Sequence, residues 1–140
     1  MKQRFPALIA ALWWGSLSTI GFLVVPLLFA NLPTLAMAGH MAATLFAAQT
    51  WVSVACGLLL LLFSRSKQTQ SLAEWAPNAI IFIVLGLLLA LLSQFAVAPR
   101  IVARENLELW HSVGSVMYLV QWVCAGVVLW QLVSGARQSG

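Results

Sequence analysis

Three long stretches without a charged side chain limit how this chain can fold more than any other feature. Residues 5–64, 75–99 and 109–136 contain no Asp, Glu, Lys or Arg. A helix crosses the hydrocarbon core of a bilayer with roughly 20 mainly apolar residues. The two shorter stretches therefore hold one membrane-spanning helix each, and the first stretch is long enough to hold two.

The composition agrees with a protein whose main solvent is lipid. The 140 residues are 62% hydrophobic and 7% charged, whereas soluble domains are about 45–50% apolar and about 25% charged. A chain of this size has no core large enough to hide so much apolar surface. This excludes an ordinary cytosolic enzyme, a disordered chain and a nucleic-acid-binding domain.

Turn-forming residues divide the first stretch. Asn31, Pro33 and Thr34 interrupt it near its middle, and a proline without an amide proton is unfavourable inside a lipid-exposed helix. We therefore predict an all-α fold, a single membrane domain over residues 1–140, with four helices at about 5–30, 36–63, 77–98 and 107–133. Pro26 lies inside the first helix and leaves the carbonyl of Phe22 without its usual donor, which predicts a kink or a loosened turn.

The basic residues predict the orientation. Five of the seven lie on the side of the two termini and the loop 64–76, and the other side carries Arg100 and Arg104. Because cytoplasmic loops are enriched in Lys and Arg, both termini are expected in the cytoplasm, with the protein in a cell inner membrane. This asymmetry accounts for the net charge of +4 without nucleic acid. The expected partners are the bilayer and, as alternatives, a second copy or another membrane subunit.

The two halves of the sequence resemble each other. The patterns Phe22-x-Val24-x-Pro26 and Phe95-x-Val97-x-Pro99 lie 73 residues apart. Histidines follow at an offset of 71, and a tryptophan stands eleven residues after each of them, giving the pairs His40–Trp51 and His111–Trp122. We interpret the chain as two parallel-repeat helical hairpins related by an axis along the membrane normal.

The repeat places both histidines near the outer ends of the second and fourth helices. Ionisable groups in such positions often have a function. One hypothesis is a haem b or copper site held by His40 and His111, used in redox chemistry or as a carrier. A second is that both histidines only assist helix packing. A third is proton or substrate binding at an outer-side cluster formed with Arg100, Arg104, Glu105 and Glu108.

Polar side chains within the predicted spans indicate which faces point inward. Gln121 falls near mid-membrane in the fourth helix, and Gln94 ends a stripe of small residues in the third. Ser115 and Tyr118 share the helical face of His111. A buried amide needs a partner in lipid, so both glutamines are expected to face other helices, as packing contacts or as the lining of a pathway. Small residues on the histidine faces, including Ala43 next to His40, favour placing those faces inward as well.

Catalytic motifs are missing from the sequence. It has no CxxC, HExxH, GxSxG or phosphate-binding loop, and three carboxylates leave little for acid–base catalysis. Cys56 and Cys124 are interpreted as buried thiols. The chain is expected to be an integral membrane protein of unassigned activity, and an enzymatic function is not expected. A haem or copper protein, a small-solute transporter and a structural subunit are the alternatives.

Short motifs throughout the chain resemble the transmembrane protein 205-like family, a four-helix membrane domain of unknown function. The matching segments include Trp14-Gly15, Pro26-Leu-Leu-Phe29, Ala38-Gly39, Pro99 and Leu109-Trp110-His111. Where the resemblance implies a serine and an asparagine after the histidine, this chain has Gly114 and Tyr118. The family is similar in architecture to copper-resistance and haem-binding membrane proteins, an analogy that does not by itself assign a function.

Overall fold

The computed structural model describes residues 4–65, Ala76 and residues 78–138. It contains four long apolar helices, and the described residues form no strand. We label them α1 (Arg4–Asn31), α2 (Leu35–Ser64), α3 (Ala79–Val102) and α4 (Leu107–Gln138). All four are long and apolar enough to span a membrane. The all-α, four-helix prediction is confirmed, and the predicted start of the third helix at Pro77 lies outside the described residues.

Two tight connections meet at one end of the molecule, which we call the short-loop end (residues 32–34 and 103–106). In the first, the hydroxyl oxygen of Thr34 accepts a hydrogen bond from the backbone N–H of Met37 at 3.2 Å, which caps α2. In the second, Arg104 and Asn106 adopt left-handed backbone conformations with φ of 57° and 38°. These conformations reverse the chain within a few residues.

The helices are arranged as a ring. α1 and α3 each pack against both α2 and α4, and sequence neighbours are therefore spatial neighbours. Consequently α1 faces α3, and α2 faces α4, across the centre of the bundle. Short loops between antiparallel neighbours produce this up-and-down arrangement.

The hydrophobic core lies in the half of the bundle away from the short-loop end. Its centre is Trp13 of α1, whose ring is fully buried and reaches across the ring of helices to Gly86 of α3. A Cβ at Gly86 would lie 2.7 Å from the indole, so a residue without a side chain is needed for this approach. Leu17, Ile83 and Val128 belong to the same buried cluster.

Both α1 and α3 widen into a single π-helical turn ahead of a proline. The turns are Ile20–Val24 and Ser93–Val97, which begin 73 residues apart, the offset of the sequence repeat. The N–H of Val25 donates to the carbonyl of Ile20, and the N–H of Ala98 donates to that of Ser93. Since Pro26 and Pro99 have no N–H to donate, the helix widens by one residue at each position. The loosened turn expected at Pro26 is thus present, and α1 continues helically to Asn31.

Beyond these turns the two hairpins diverge. Val25–Asn31 packs against α2, its partner within the first hairpin, and Ala98–Val102 packs against α4, its partner within the second. Close backbone packing between the hairpins instead involves the Arg4–Thr19 and Ala79–Leu92 segments. The short-loop half therefore has more space between the hairpins than the opposite half.

Candidate functional site

A cavity of about 460 Å³ occupies the space between the hairpins in the short-loop half. All four helices line it, through residues within 21–29, 39–50, 93–102 and 111–121. Both π turns contribute to its walls. Single π turns are often found at functional sites, because the extra residue redirects side chains and backbone groups.

Most of the cavity wall is apolar, and part of it is exposed at the surface of the bundle. Phe29 and Leu119 line the cavity and are 42% and 46% exposed. Small residues such as Gly39 and Ala43 also line it. The exposed imidazole of His111 belongs to the same lining, so an entering molecule would meet both apolar and polar groups.

The floor of the cavity is polar. Gln49 and Gln121 reach it from opposite helices, and each donates an amide N–H to a serine hydroxyl at 2.9 Å. The acceptors are Ser16 for Gln49 and Ser53 for Gln121. These bonds join α1 to α2 and α2 to α4, in a layer between the hydrophobic core and the cavity.

Two polar atoms at the cavity have no hydrogen-bond partner. They are Oε1 of Gln49, a residue that is 2% exposed, and Oγ of Ser93, and both residues line the cavity. An unpaired polar group away from water costs about 1–3 kcal/mol. Two other orphan atoms, Trp13 Nε1 and Gln131 Oε1, belong to residues that do not line the cavity. Both atoms have almost no accessible surface, so they are unpaired groups packed within the cavity wall rather than groups open to the cavity.

The orientation of the Gln49 amide follows from its neighbour. Ser16 donates its own hydroxyl proton to the carbonyl of Trp13 at 2.9 Å, so its oxygen is left to accept. The group that reaches Ser16 Oγ must therefore be a donor, which assigns the NH₂ of Gln49 to that side. Its carbonyl oxygen is the atom left without a partner.

Tyr118 forms one side of the cavity. Its hydroxyl donates to the carbonyl of Leu17 at 2.7 Å, and its ring meets Phe46 edge-on at a centroid distance of 5.2 Å. The ring also lies so close to Gly21 that a Cβ there would overlap it. The tyrosine is therefore held by three helices and gives the cavity a fixed wall.

Both histidines are exposed, and they differ in their relation to the cavity. His111 lines the cavity, whereas His40 is not among the lining residues. No group of three or more His, Cys, Asp or Glu side chains in the described residues is placed to bind a metal. The histidine pair as a ligand site remains a prediction.

The four charged residues of the proposed outer-side cluster surround the α3–α4 turn and are all exposed. Arg100 lies in the last turn of α3, Glu108 lies in the first turn of α4, and the other two lie in the turn itself. The guanidinium of Arg100 stacks over the ring of Trp110 at 4.4 Å, and the N–H of Glu105 bonds to the carbonyl of Arg100. No ion pair joins Arg100, Arg104, Glu105 and Glu108, all of which are in the described part of the chain. These contacts fix the turn, and the binding role of the cluster remains a prediction.

The polar residues singled out from the sequence differ in whether they line the cavity and in whether they bond to another helix. Gln94 and Ser115 line the cavity, although the Ser115 hydroxyl bonds to its own helix at the carbonyl of His111. Gln121 is buried and bonded across the bundle. Gln49 and Ser93 were missed, yet Gln49 carries the same signal as the other two glutamines, namely an amide in an apolar span.

The inward face expected for α2 is wrong. Trp51 follows His40 by eleven residues, about three helical turns, and so shares the histidine face that was expected inward, yet it is 62% exposed, whereas Gln49 and Ser53 are buried. Because an amide and a hydroxyl in lipid need partners, these residues decide how the helix is rotated. Tryptophan is stable against lipid and does not need burial.

Comparison with known proteins yields one match. No curated protein and no solved structure shows significant similarity to the chain. A family model described as a domain of unknown function (DUF4149) matches residues 8–108, which include the α1, α2 and α3 walls of the cavity. The chain therefore belongs to the DUF4149 family of unknown function, and its four apolar helices are those of a multi-pass integral membrane protein.

Proposed function

We propose that the protein binds an uncharged, lipid-soluble small molecule in the cavity of the short-loop half. The observation that carries this proposal is the cavity between the hairpins, whose lining is mostly apolar and includes a few polar side chains such as Gln94 and His111. Small-molecule sites are mostly apolar, with a few polar groups that fix orientation, and have volumes of about 300–1,000 Å³. The cavity of about 460 Å³ has these properties.

The charge of the lining supports an uncharged ligand. The lining residues that the structure describes include no Lys, Arg, Asp or Glu. A charged molecule here would lose its hydration without gaining a charged partner, which is unfavourable in a low-dielectric medium. A molecule that enters from lipid has already lost its water.

A haem b or copper site is a weaker fit to this cavity. Such a site needs two imidazoles or a comparable set of soft donors. His111 is the one histidine that lines the cavity, and the other polar groups of the lining are amides and hydroxyls. We therefore place the lipid-soluble ligand first and keep the His40–His111 pair as the alternative. Transport of such a ligand and a role as a structural subunit are further alternatives.

We also propose that the protein resides in a cell inner membrane with both termini in the cytoplasm, which would place the cavity in the outer leaflet. The excess of basic residues on the side of the termini supports this orientation. The resemblance to transmembrane protein 205-like proteins is likewise a proposal, supported by the short motifs around Trp14, Pro26 and His111.

Two glycines provide a matched test of the binding proposal. A Cβ added at Gly39 or at Gly15 would meet no atom within 4 Å, but Gly39 lines the cavity and Gly15 does not. Both lie inside helices, where replacing glycine is not costly to the backbone. Gly39→Phe should fill the cavity, and Gly15→Phe should leave it open.

The measurement is native mass spectrometry of the three proteins after gentle extraction from membranes. Wild type and Gly15→Phe should retain a bound apolar molecule that Gly39→Phe has lost. An identical set of bound molecules in all three would contradict the proposal. Absorption spectra and metal analysis of the same samples test the histidine alternative, which requires a bound haem or copper.

A further inference from the structure

We infer that the ligand is an amphiphile whose uncharged, hydroxylated head group lies toward the short-loop end of the cavity, with its hydrocarbon tail toward the floor. This inference rests on the proposed function and adds the chemical class and the orientation of the ligand. It follows from the depth of the cavity in the membrane and from which polar side chains of the lining are accessible and unbonded.

The cavity extends from the head-group level of the bilayer to its middle. Gln49 and Gln121 at the floor lie close to the midpoints of α2 and α4. α4 has 32 residues and is therefore about 48 Å long, which exceeds the hydrocarbon core of about 30 Å. His111 is the fifth residue of α4 and so lies close to the boundary between head groups and hydrocarbon. The cavity thus covers the depth of one leaflet.

The accessible polar side chains of the lining belong to the second hairpin. His111 and Ser115 are exposed, and Gln94 is half-buried. The side chains of His111 and Gln94 make no hydrogen bond within the described part of the chain. The Ser115 hydroxyl gives its proton to the carbonyl of His111 at 2.8 Å and can still accept a bond. On the first hairpin the polar lining residues are Gln49 and Thr50, and both are buried.

These side chains lie on two levels. Ser115 follows His111 by one helical turn on the same face of α4. A Cβ at Gly114 would lie 3.4 Å from the side chain of Val97, so these two residues share a level. Gln94 lies one turn nearer the floor than Val97, and His111 lies one turn nearer the short-loop end than Gly114, a separation of about 9 Å along the bundle. A head group that meets both levels needs more than one polar group.

Hydroxyls fit these side chains better than other uncharged polar groups do. The imidazole of His111 and the amide of Gln94 each hold a donor and an acceptor, and Ser115 accepts. An ether or a ketone has no proton to donate and leaves these acceptors unused, whereas a hydroxyl can pair with any of the three. The described lining has no Lys, Arg, Asp or Glu to match a charged head group. A monoacylglycerol, with two hydroxyls and an ester at one end of a single chain, has this chemistry.

The inner part of the cavity suits the hydrocarbon tail. The hydroxyl of Tyr118 and the NH₂ group of Gln121 are already bonded to the protein, and the unpaired atoms of Gln49 and Ser93 are enclosed in the wall. The ring of Phe46 adds apolar surface at the same depth. A hydroxyl placed there would lose its hydration with little to replace it, which is unfavourable.

The first test compares a monoacylglycerol with the methyl ester of the same fatty acid. The two molecules share the chain and the ester and differ in the hydroxyls. Wild-type protein is held in an amine-oxide detergent, whose head group has no donor, and binding is followed by the ligand-dependent rise of the unfolding temperature. We expect the monoacylglycerol to bind about 3–10-fold more tightly than the methyl ester, the range for one hydrogen bond.

Two variants and a control locate the head group. His111→Leu and Gln94→Leu should each reduce the preference for the monoacylglycerol toward parity. Neither change breaks a hydrogen bond within the described part of the chain, so both variants are expected to fold. Ser112→Ala should retain the preference, because this hydroxyl is exposed, bonds to the Glu108 carbonyl and does not line the cavity.

The second test measures the orientation directly. Two monoacylglycerols, one with a diazirine beside the ester and one with a diazirine at the end of the chain, are photolysed with the wild-type protein. The labelled positions are then identified by peptide mass spectrometry. The first probe should label residues within 98–102 and 111–115, and the second should label the region of Gly21, Phe46 and Tyr118.

The outcomes separate this inference from the binding proposal. Equal binding of the two esters to wild type, a preference that survives in both His111→Leu and Gln94→Leu, or a reversed labelling pattern would overturn the inference and leave the binding proposal standing. Binding of neither ester would overturn it as well. The native mass spectra of Gly39→Phe then decide the binding proposal on their own, since they depend on no chosen ligand.

Discussion

The hydroxyl of Tyr118 on α4 donates a hydrogen bond to the carbonyl oxygen of Leu17 on α1, at 2.7 Å. In a regular helix this carbonyl accepts from the N–H of Gly21, which lies directly beneath the tyrosine ring. The bond ties the fourth helix to the first immediately before the π turn Ile20–Val24. It marks the level at which the packed half of the bundle ends and the cavity begins.

Removing this hydroxyl should weaken the junction between the hairpins. Tyr118→Phe keeps the ring against Phe46 and Gly21 and loses one hydrogen bond, so we expect a loss of about 0.5–1.5 kcal/mol in the free energy of unfolding. Chemical unfolding in detergent measures the loss. Ser112→Ala is the control, because its hydroxyl bonds within its own helix at an exposed position; an unchanged stability in Tyr118→Phe would contradict the role given to this bond.

The contact between Trp13 and Gly86 should be intolerant of added volume. In Gly86→Ala the new methyl group would lie 2.7 Å from the indole, and overpacking of this kind costs about 1–3 kcal/mol. Gly15→Ala, where the methyl group meets open space, should be neutral or stabilising by up to about 1 kcal/mol. The comparison uses unfolding temperatures of the two variants, and equal values would show that the core adapts freely.

The two histidines should behave differently. His111→Ala removes a side chain that lines the cavity and should weaken retention of the bound apolar molecule, whereas His40→Ala changes a residue outside the lining and should leave retention unaltered. Native mass spectrometry of both variants provides the comparison. The haem or copper alternative makes the opposite forecast, since loss of either imidazole would abolish a bound chromophore or metal.

Topology can be tested independently of any ligand. Five of seven basic residues lie on the side of the termini, so a fluorescent reporter fused after Gly140 and active in the cytoplasm should be bright. An enzyme reporter that is active in the periplasm should be silent at the same site. The reverse pattern would place the cavity in the inner leaflet.

The number and type of the helices could be predicted from charge-free runs and prolines, because lipid enforces both. The helix ends were less well predicted, since α3 continues to Val102 and α4 to Gln138, past the predicted ends at 98 and 133. The rotation of α2 could not be predicted from its histidine. An apolar helix has a weak preference for any face, and the hydrogen bond from Gln49 to Ser16 decides it. Gln49 could have been predicted to face inward by the same reasoning as Gln94 and Gln121, because an amide within an apolar span needs a hydrogen-bond partner.

The cavity could not be predicted, because it depends on where hairpins separate rather than on any motif. The matching patterns ending in Pro26 and Pro99 did indicate that both halves share a local distortion, and the π turns Ile20–Val24 and Ser93–Val97 are its form. Sequence spacing assumes a constant 3.6 residues per turn, and a π turn inserts one residue. Every side chain after it therefore points about 100° away from the expected direction.

The divergence of the hairpins beyond these turns also has a consequence for biogenesis. In the short-loop half, the Val25–Asn31 and Ala98–Val102 segments each pack against the other helix of their own hairpin, so these contacts join residues close together in the chain. Contacts local in sequence form quickly, and each hairpin can acquire this part of its structure as it is inserted. The half of the bundle away from the short-loop end is held together by contacts between the two hairpins. The cavity is therefore complete only after the second hairpin has packed against the first.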